Sequence, residues 1–224
     1  MNAKDYIDYI FDSFIELHGD RSFGDDIGIL CGIAKLNNKS VAVIGQMSGD
    51  NINENIKYNF SMTLPHGFRK AIKLIKLANK LNLPVIMFVD TIGADPTQNS
   101  EEHGQAYLIA ECIKQSLICK SLTISVCIND GNSGGALAFA TSNYIISMNN
   151  AKINVISNNA ATEIIKNKQL SFDDSEIYDK YIDDECQEKS IKILKKTLIL
   201  LLKSHNNNWF ILKHRNKKLK KIWK

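Results

Sequence analysis

The spacing of hydrophobic and polar positions changes several times along the chain, and each change marks an element. In "DYIDYIFDSFIEL" (5–17), Tyr6, Ile10, Phe14 and Leu17 fall at helical spacing, which predicts one amphipathic helix. "HGDRSFGDD" (18–26) stops it with glycines and aspartates. "IGILCGIAKL" (27–36) and "SVAVIGQM" (40–47) flank a polar "NNK", a hairpin pattern, and "SGDNINENIKYNF" (48–60) reads as a polar loop. "HGFRKAIKLIKLANKLN" (66–82) gathers Phe68, Ala71, Ile72, Ile75 and Ala78 on one face and lysines on the other, a helix that Pro84 ends. "VIMFVD" (85–90) and "LTISVCI" (122–128) are unbroken apolar runs, expected of strands buried on both faces. A loop at 91–104 and a helix over about 105–118 lie between them. "GNSGGALAFA" (131–140) is a glycine-rich turn opening a third helix, and "YIISM" (144–148) and "INVIS" (153–157) read as short strands.

Strand–helix–strand–helix order of this kind predicts an α/β layered fold with mostly parallel strands. After about residue 160 the pattern becomes polar, lysine-rich and mainly helical, with 173–205 as its main body. The expected division is a core at 1–160 and a divergent helical region with a basic tail at 161–224. With 224 residues, 44% of them hydrophobic, a sizeable core is available. The formal net charge of +4 is mild, but its excess sits in "LKHRNKKLKKIWK" (212–224). That segment reads as a frayed or solvated basic end, with an acidic partner or nucleic acid as the sharper alternative.

The five cysteines (Cys31, Cys112, Cys119, Cys127, Cys186) have no CxxC spacing, so neither a zinc site nor a disulfide framework is expected; free thiols in a reducing compartment fit. The acidic, aromatic start does not read as a signal peptide, and "LILLL" (198–202) is too short to span a bilayer. A cytoplasmic protein without a membrane partner is expected.

The chemistry concentrates in two loops that each follow a buried strand: "TIGA" after "VIMFVD", and "GNSGGA" after "LTISVCI". Ligands of parallel α/β sheets gather at the carboxyl ends of strands. A glycine-rich turn opening a helix presents free N–H groups and the positive end of the helix dipole, enough to hold an oxyanion. Tight turning and close helix–strand packing account for the glycines equally well. The segment lacks the Gly-Lys-Ser/Thr of a phosphate loop and does not match GxGxxG. Ser133 is not read as the serine of a nucleophile elbow, and no His/Asp partner for it is identifiable.

"IFDSFIELHGDRSFGDD" (10–26), "NFSMTLPHGFRKAIKLIKLANKLNLPVIMFVDTIGADP" (59–96), "EEHGQAYLIAECI" (101–113) and "GNSGGALAFA" (131–140) occur in that order. Together they resemble the α subunit of bacterial acetyl-CoA carboxylase carboxyltransferase over about residues 5–157. The resemblance implies a ClpP/crotonase-like fold of stacked ββα units, here with a helical C-terminal extension. It implies a transferase subunit, active only with a β-type subunit in an α2β2 arrangement. Its reaction moves carboxylate from carboxybiotin, held on biotin carboxyl carrier protein, to acetyl-CoA, giving malonyl-CoA at the first step of fatty acid synthesis. Biotin carboxylase belongs to the larger complex; no metal is implied in this chain, and nucleic acid is not expected as a partner. By the same resemblance Gly93 or Ala94 in the first loop and Gly134 and Gly135 in the second supply catalytic N–H donors to the biotin ureido oxygen, while Ser133 contacts the cofactor and Arg69 is either a contact to the cofactor or a partner, or a surface charge. His18, Asp20 and Arg21 read mostly as a structural turn, and Glu101 and Glu102 as helix-capping acids.

Several positions depart from the family pattern. "TIGADPT" stands where the family resembles "TPGAYPG", so Asp95 replaces an aromatic residue and brings a carboxylate toward a site for an anion; Thr97 replaces a glycine. Asn129 and Asn132 replace glycines, and Asn158 and Asn159 follow "VIS" where "PEG" is usual. The alternatives these changes leave are a non-catalytic scaffold or regulator of a carboxylase, and a stand-alone crotonase-superfamily acyl-CoA hydrolase or isomerase.

Overall fold

A computed structural model describes residues 1–149, 151–156, 178–184 and 186–204. Among the described residues eight strands form one sheet. In chain order the elements are α1 (Ala3–Ile10), β1 (Ser13–Glu16), β2 (Ile29–Leu36), β3 (Lys39–Gln46), α2 (Ile52–Lys57), a 3₁₀ turn (Asn59–Ser61), α3 (Pro65–Leu81) and β4 (Val85–Thr91). Then come α4 (Gln98–Glu102), α5 (Gln105–Ile118), β5 (Thr123–Asn132), α6 (Ser133–Ala140), β6 (Tyr144–Met148), β7 (Ile153–Asn154), β8 (Lys180–Ile182) and α7 (Gln187–Ser204).

The spatial order is β1-β2-β3-β4-β5-β6-β8, with β7 beside β5. β1, β2 and β3 pair antiparallel; from β3 onward every pairing is parallel. The β2–β3 hairpin turns through Asn37 and Asn38, both with positive φ (50° and 63°), the two-residue geometry whose twist matches the flanking strands. β4 is buried along its whole length, as its unbroken apolar run requires.

The helices cover both faces. α1 and α7 bury Tyr6, Ile7, Ile10, Ile191, Leu194, Leu198 and Leu202 against one face; α3, α5 and α6 bury Phe68, Ile75, Leu108, Cys112 and Phe139 against the other. Within the region set apart at 161–224, β8 pairs with β6 and α7 packs on the sheet. The remainder of 157–177 and 205–224, including Asn158, Asn159 and the basic tail, lies outside the described residues.

Three sequence expectations change. The helix expected over 5–17 ends at Ile10, and Phe14 and Leu17 do not share its face. Phe11 turns extended (φ −93°, ψ 148°), and Ser13–Glu16 becomes an edge strand in register with Gly32–Lys35. The alternation of "SFIE" satisfies a strand as well as a helix over so few residues, and the open edge of β2 decides for the strand. The polar loop 48–60 holds α2, whose N-cap Asn51 accepts the Glu54 N–H. The loop 91–104 holds α4, capped by Thr97 Oγ1 on the Ser100 N–H.

Candidate active site

β4 and β5 run parallel, and the segments that leave their carboxyl ends meet. A Cβ placed on Gly135 would lie 2.5 Å from Gly93 C and 2.7 Å from Ala94 N. Only glycine lets the first turn of α6 press against the Gly93–Ala94 peptide. A Cβ on Gly134 would meet only Ile109 side-chain carbons, at 3.4 Å, a contact that leaves room. Gly93 has φ +154°, a conformation L side chains rarely adopt.

The first turn of α6 leaves its N–H groups without intrahelical acceptors. N-cap Asn132 makes no side-chain capping bond; its Oδ1 accepts instead from Asn154 Nδ2 at 3.2 Å, across the β5–β7 pairing. The departure at Asn132 therefore ties β7 in place and leaves the helix N-terminus open. Ser133 stands exposed at this turn with φ 60°.

Ser133 requires a correction. Gly131, Ser133 and Gly135 do have GxSxG spacing, and the strand–turn–helix geometry with a positive-φ serine is that of an elbow. What is missing is the base: among the described residues no hydrogen bond joins Ser133 to a histidine. The three thiols Cys31, Cys112 and Cys127 are buried and pushed up by that burial, Cys31 to about 12, so they offer no thiolate.

Around the two loops runs a set of buried amide and hydroxyl bonds. Gln46, fully buried at the end of β3, donates from Nε2 to Thr63 Oγ1 and to the Gly135 carbonyl, both at 3.2 Å, and accepts the Asp90 N–H at Oε1. Gln105, at the start of α5, donates to the Thr63 and Asp95 carbonyls at 2.8 and 3.1 Å. Thr63 forms a parallel bridge with Ala94. Thr91 Oγ1 lies 2.5 Å from the Ser61 carbonyl oxygen and accepts the Gly93 N–H at 3.0 Å. The Gly93 N–H is thus already engaged within its own loop. Asn59, Phe60 and Ser61 all have positive φ (50°, 52°, 62°), a left-handed turn that costs non-glycine residues roughly 1–2 kcal/mol each. The bond from Asn59 Nδ2 to Asp95 Oδ1 helps hold it.

Asp95 does not present its carboxylate to an incoming anion. It is buried, and its oxygens accept from Ser100 Oγ and Thr97 Oγ1, both at 2.5 Å, and from Asn59 Nδ2 at 3.1 Å. Burial pulls its pKa up, yet the bonds from Ser100, Thr97 and Asn59 outweigh that and hold it below the usual range. Thr97, the other departure in this loop, is one of those donors. Asp90, at the end of β4, accepts from Ser48 Oγ at 2.5 Å and Asn129 Nδ2 at 3.0 Å, and burial holds it above the usual range.

Arg69 faces inward as well. Its Nε donates to the fully buried Asp20 at 2.6 Å and its Nη1 to the His103 carbonyl at 3.2 Å. Asp20 also accepts the backbone N–H groups of Ser22, Phe23 and Gly24, so burial is overcome and the carboxyl stands well below its usual range. Lys70 pairs with Asp25, Lys73 donates to the Asp20 carbonyl, and Asp26 accepts the Leu64 N–H. "HGDRSFGDD" is therefore a clamp that fastens the start of α3. His18 and Arg21 stay exposed on its rim. Glu101 and Glu102 are exposed on α4, and Thr97 is the residue that caps it.

Gln46, Asp90, Thr63 and Gln105 escape a reading by motif. The one signal is a polar residue closing an apolar strand, as Gln46 closes "VAVIG" and Asp90 closes "VIMFV". Among the described residues no group of three His, Cys, Asp or Glu side chains is placed to hold a metal ion.

The layered sheet, with helices on both faces, defines the class: a crotonase-like α/β fold. The malonate decarboxylase MdcD–MdcE hetero-dimer of Pseudomonas superposes with a TM-score of 0.69 at 15% identity, covering 90% of this chain and 85% of that one. The family follows from sequence: residues 1–177 match the model of the acetyl co-enzyme A carboxylase carboxyltransferase-like proteins, and the chain belongs to that family. The acetyl-coenzyme A carboxylase carboxyl transferase subunit alpha of Pelagibacter ubique (strain HTCC1062) is 47% identical over 163 residues, 73% of this chain and 44% of the relative. Its counterpart in Clostridium perfringens (strain ATCC 13124) is 50% identical over 156 residues, 70% of this chain and 58% of the relative. The chain spans about half the length of the curated relatives it matches.

Proposed function

We propose that this chain is the α-type component of a biotin-dependent carboxyltransferase, moving carboxylate from carboxybiotin on a carrier protein to acetyl-CoA to give malonyl-CoA. The observation that carries the reading is the open N-terminus of α6 lying against the Gly93–Ala94 peptide at the carboxyl ends of β4 and β5. The site fits a small anionic oxygen: it offers backbone N–H groups, two glycines without side chains and a helix dipole, and the nearby Asp95 carboxylate is bonded to Ser100, Thr97 and Asn59.

Biotin's ureido ring supplies the carboxylate carrier when bound. The chain's part is to hold and stabilise charge. Gly134 and Gly135 present N–H groups from the first turn of α6. Ala94 is the candidate donor from the other loop, because the Gly93 N–H is taken by Thr91 Oγ1. Ser133, exposed at the same turn, is the candidate hydrogen-bond partner of the ring. Arg69 acts at one remove, through the clamp that seats α3, rather than as a ligand. Losing one such N–H donor typically costs about 3 kcal/mol of transition-state stabilisation.

A β-type subunit is the expected partner for the acyl-CoA side, with biotin carboxyl carrier protein and biotin carboxylase completing the assembly in the cytoplasm. The test is the reverse reaction: malonyl-CoA and biocytin with the chain and its cognate β-type subunit, following acetyl-CoA release, each subunit alone as control. Activity in the mixture alone is the expected result. A stable, folded complex that makes no acetyl-CoA would sink the reading in favour of a scaffold, and activity of the isolated chain on acyl-CoA esters would favour a hydrolase or isomerase.

A further inference from the structure

The clamp ahead of α3 encloses a cavity that the candidate active site does not use. It measures about 410 Å³, within the range of pockets that take small organic ligands, and residues 18–25 line it. Its one aromatic lining group is Phe23, 61% exposed yet braced by two imidazoles, His103 at 4.5 Å and His66 at 5.8 Å between ring centroids. An open ring already held in place loses little conformational freedom when a ligand arrives. The acids of this loop are engaged with its cations. Asp20 is held by Arg69 Nε at 2.6 Å and by the N–H groups of Ser22, Phe23 and Gly24. Asp25 accepts from Lys70 Nζ at 2.5 Å and lies 3.1 Å from His18 Nδ1. Arg21 is exposed, lines the same cavity as Phe23 and pairs with no carboxylate among the described residues.

We infer that this loop binds a nucleoside phosphate, with the base laid on Phe23 and the phosphate on Arg21. A planar heterocycle stacks on a fixed aromatic ring whatever its edge groups, and a guanidinium meets phosphate oxygens two at a time. A simple anion would have no use for the ring, and a purely apolar ligand none for the arginine. Asp20 and Asp25 do not oppose the phosphate at full strength, because Arg69 and Lys70 offset their charge. Both of those cations stand in the first turns of α3, so the loop that carries Phe23 and Arg21 is anchored to a long helix. Two sources carry this ligand chemistry: a free nucleotide, and the adenosine phosphate end of a coenzyme A ester. Either would be bound whether or not the chain takes part in carboxyl transfer.

Isothermal titration calorimetry on the full-length chain tests this with ADP, coenzyme A and, as the probe without a nucleotide, pantetheine. ADP and coenzyme A are expected to bind with dissociation constants below about 1 mM, and pantetheine not to bind. Phe23→Ala should weaken both at least about tenfold, and Arg21→Gln about threefold or more. Both side chains are exposed, so the circular dichroism of the variants should match the parent chain. Phe23→Tyr keeps the ring and should keep the binding. Added salt should weaken ADP binding more in the parent chain than in Arg21→Gln. Similar affinities for ADP and coenzyme A assign the site to a free nucleotide, whereas coenzyme A binding tighter by about tenfold or more assigns it to an acyl-CoA. No saturable binding of either up to about 5 mM overturns the proposal, as does binding that neither Phe23→Ala nor Arg21→Gln changes.

Discussion

Gly134 and Gly135 are neighbours with different burdens. Gly135→Ala drives a methyl into the Gly93 carbonyl group, 2.5 Å away, so the loop must move. The proposed carboxyl transfer is expected to fall about 100-fold or more, and stability by about 1–3 kcal/mol, measured by the reverse reaction and by urea unfolding. Gly134→Ala meets Ile109 at ordinary distance and should change stability by less than about 1 kcal/mol. Asp20 carries a pH prediction. Its folded pKa lies below its usual 3.8, so the stability it contributes is present above that value and lost as pH falls. Asp26 and Asp90, held up by burial, have the opposite sign. Asp20→Asn should therefore be less stable at pH 7 and lose less between pH 7 and 3 than the parent chain, read from urea midpoints. The glycines of both loops were legible from spacing and resemblance. Asp95 was misread, because a sequence shows that a carboxylate is near a loop but not that Ser100, Thr97 and Asn59 turn it inward.

At the scale of elements, the β2–β3 hairpin rests on two asparagines in left-handed conformations. Asn38→Gly should raise the melting temperature slightly, and Asn38→Val should cost about 1–2 kcal/mol because a β-branched residue resists positive φ. The hairpin, α3, β4, α5 and β6 were readable because each has one dominant period or a strong turn signal. α1 and β1 were fused because a four-residue strand is too short to show its own period. α2 and α4 were lost because their sequences bury little and are set by caps, Asn51 and Thr97, whose partners lie in the helix itself.

Across the whole molecule, α7 closes the face of the sheet that α1 begins to cover. Leu198, fully buried there, should cost about 2–5 kcal/mol on substitution by alanine, and unfolding should stay a single transition by far- and near-ultraviolet circular dichroism. A second, earlier transition would mean that α7 folds as a separate unit. Composition made the lysine-rich C-terminal region visible, but only the described sheet shows β8 and α7 joined to the core, since long-range pairing leaves no local period.

Gln46 has a consequence for anyone wishing to redesign the loops of the candidate site. One amide joins Thr63, Asp90 and Gly135, which belong to the segment before α3, the end of β4 and the first turn of α6. A graft of the 91–95 loop alone from a relative would arrive without its supports at 59–63 and 133–135. The transplantable unit is the set of all three with the glutamine between them, and homologous exchange should succeed only when it is moved as a single cassette.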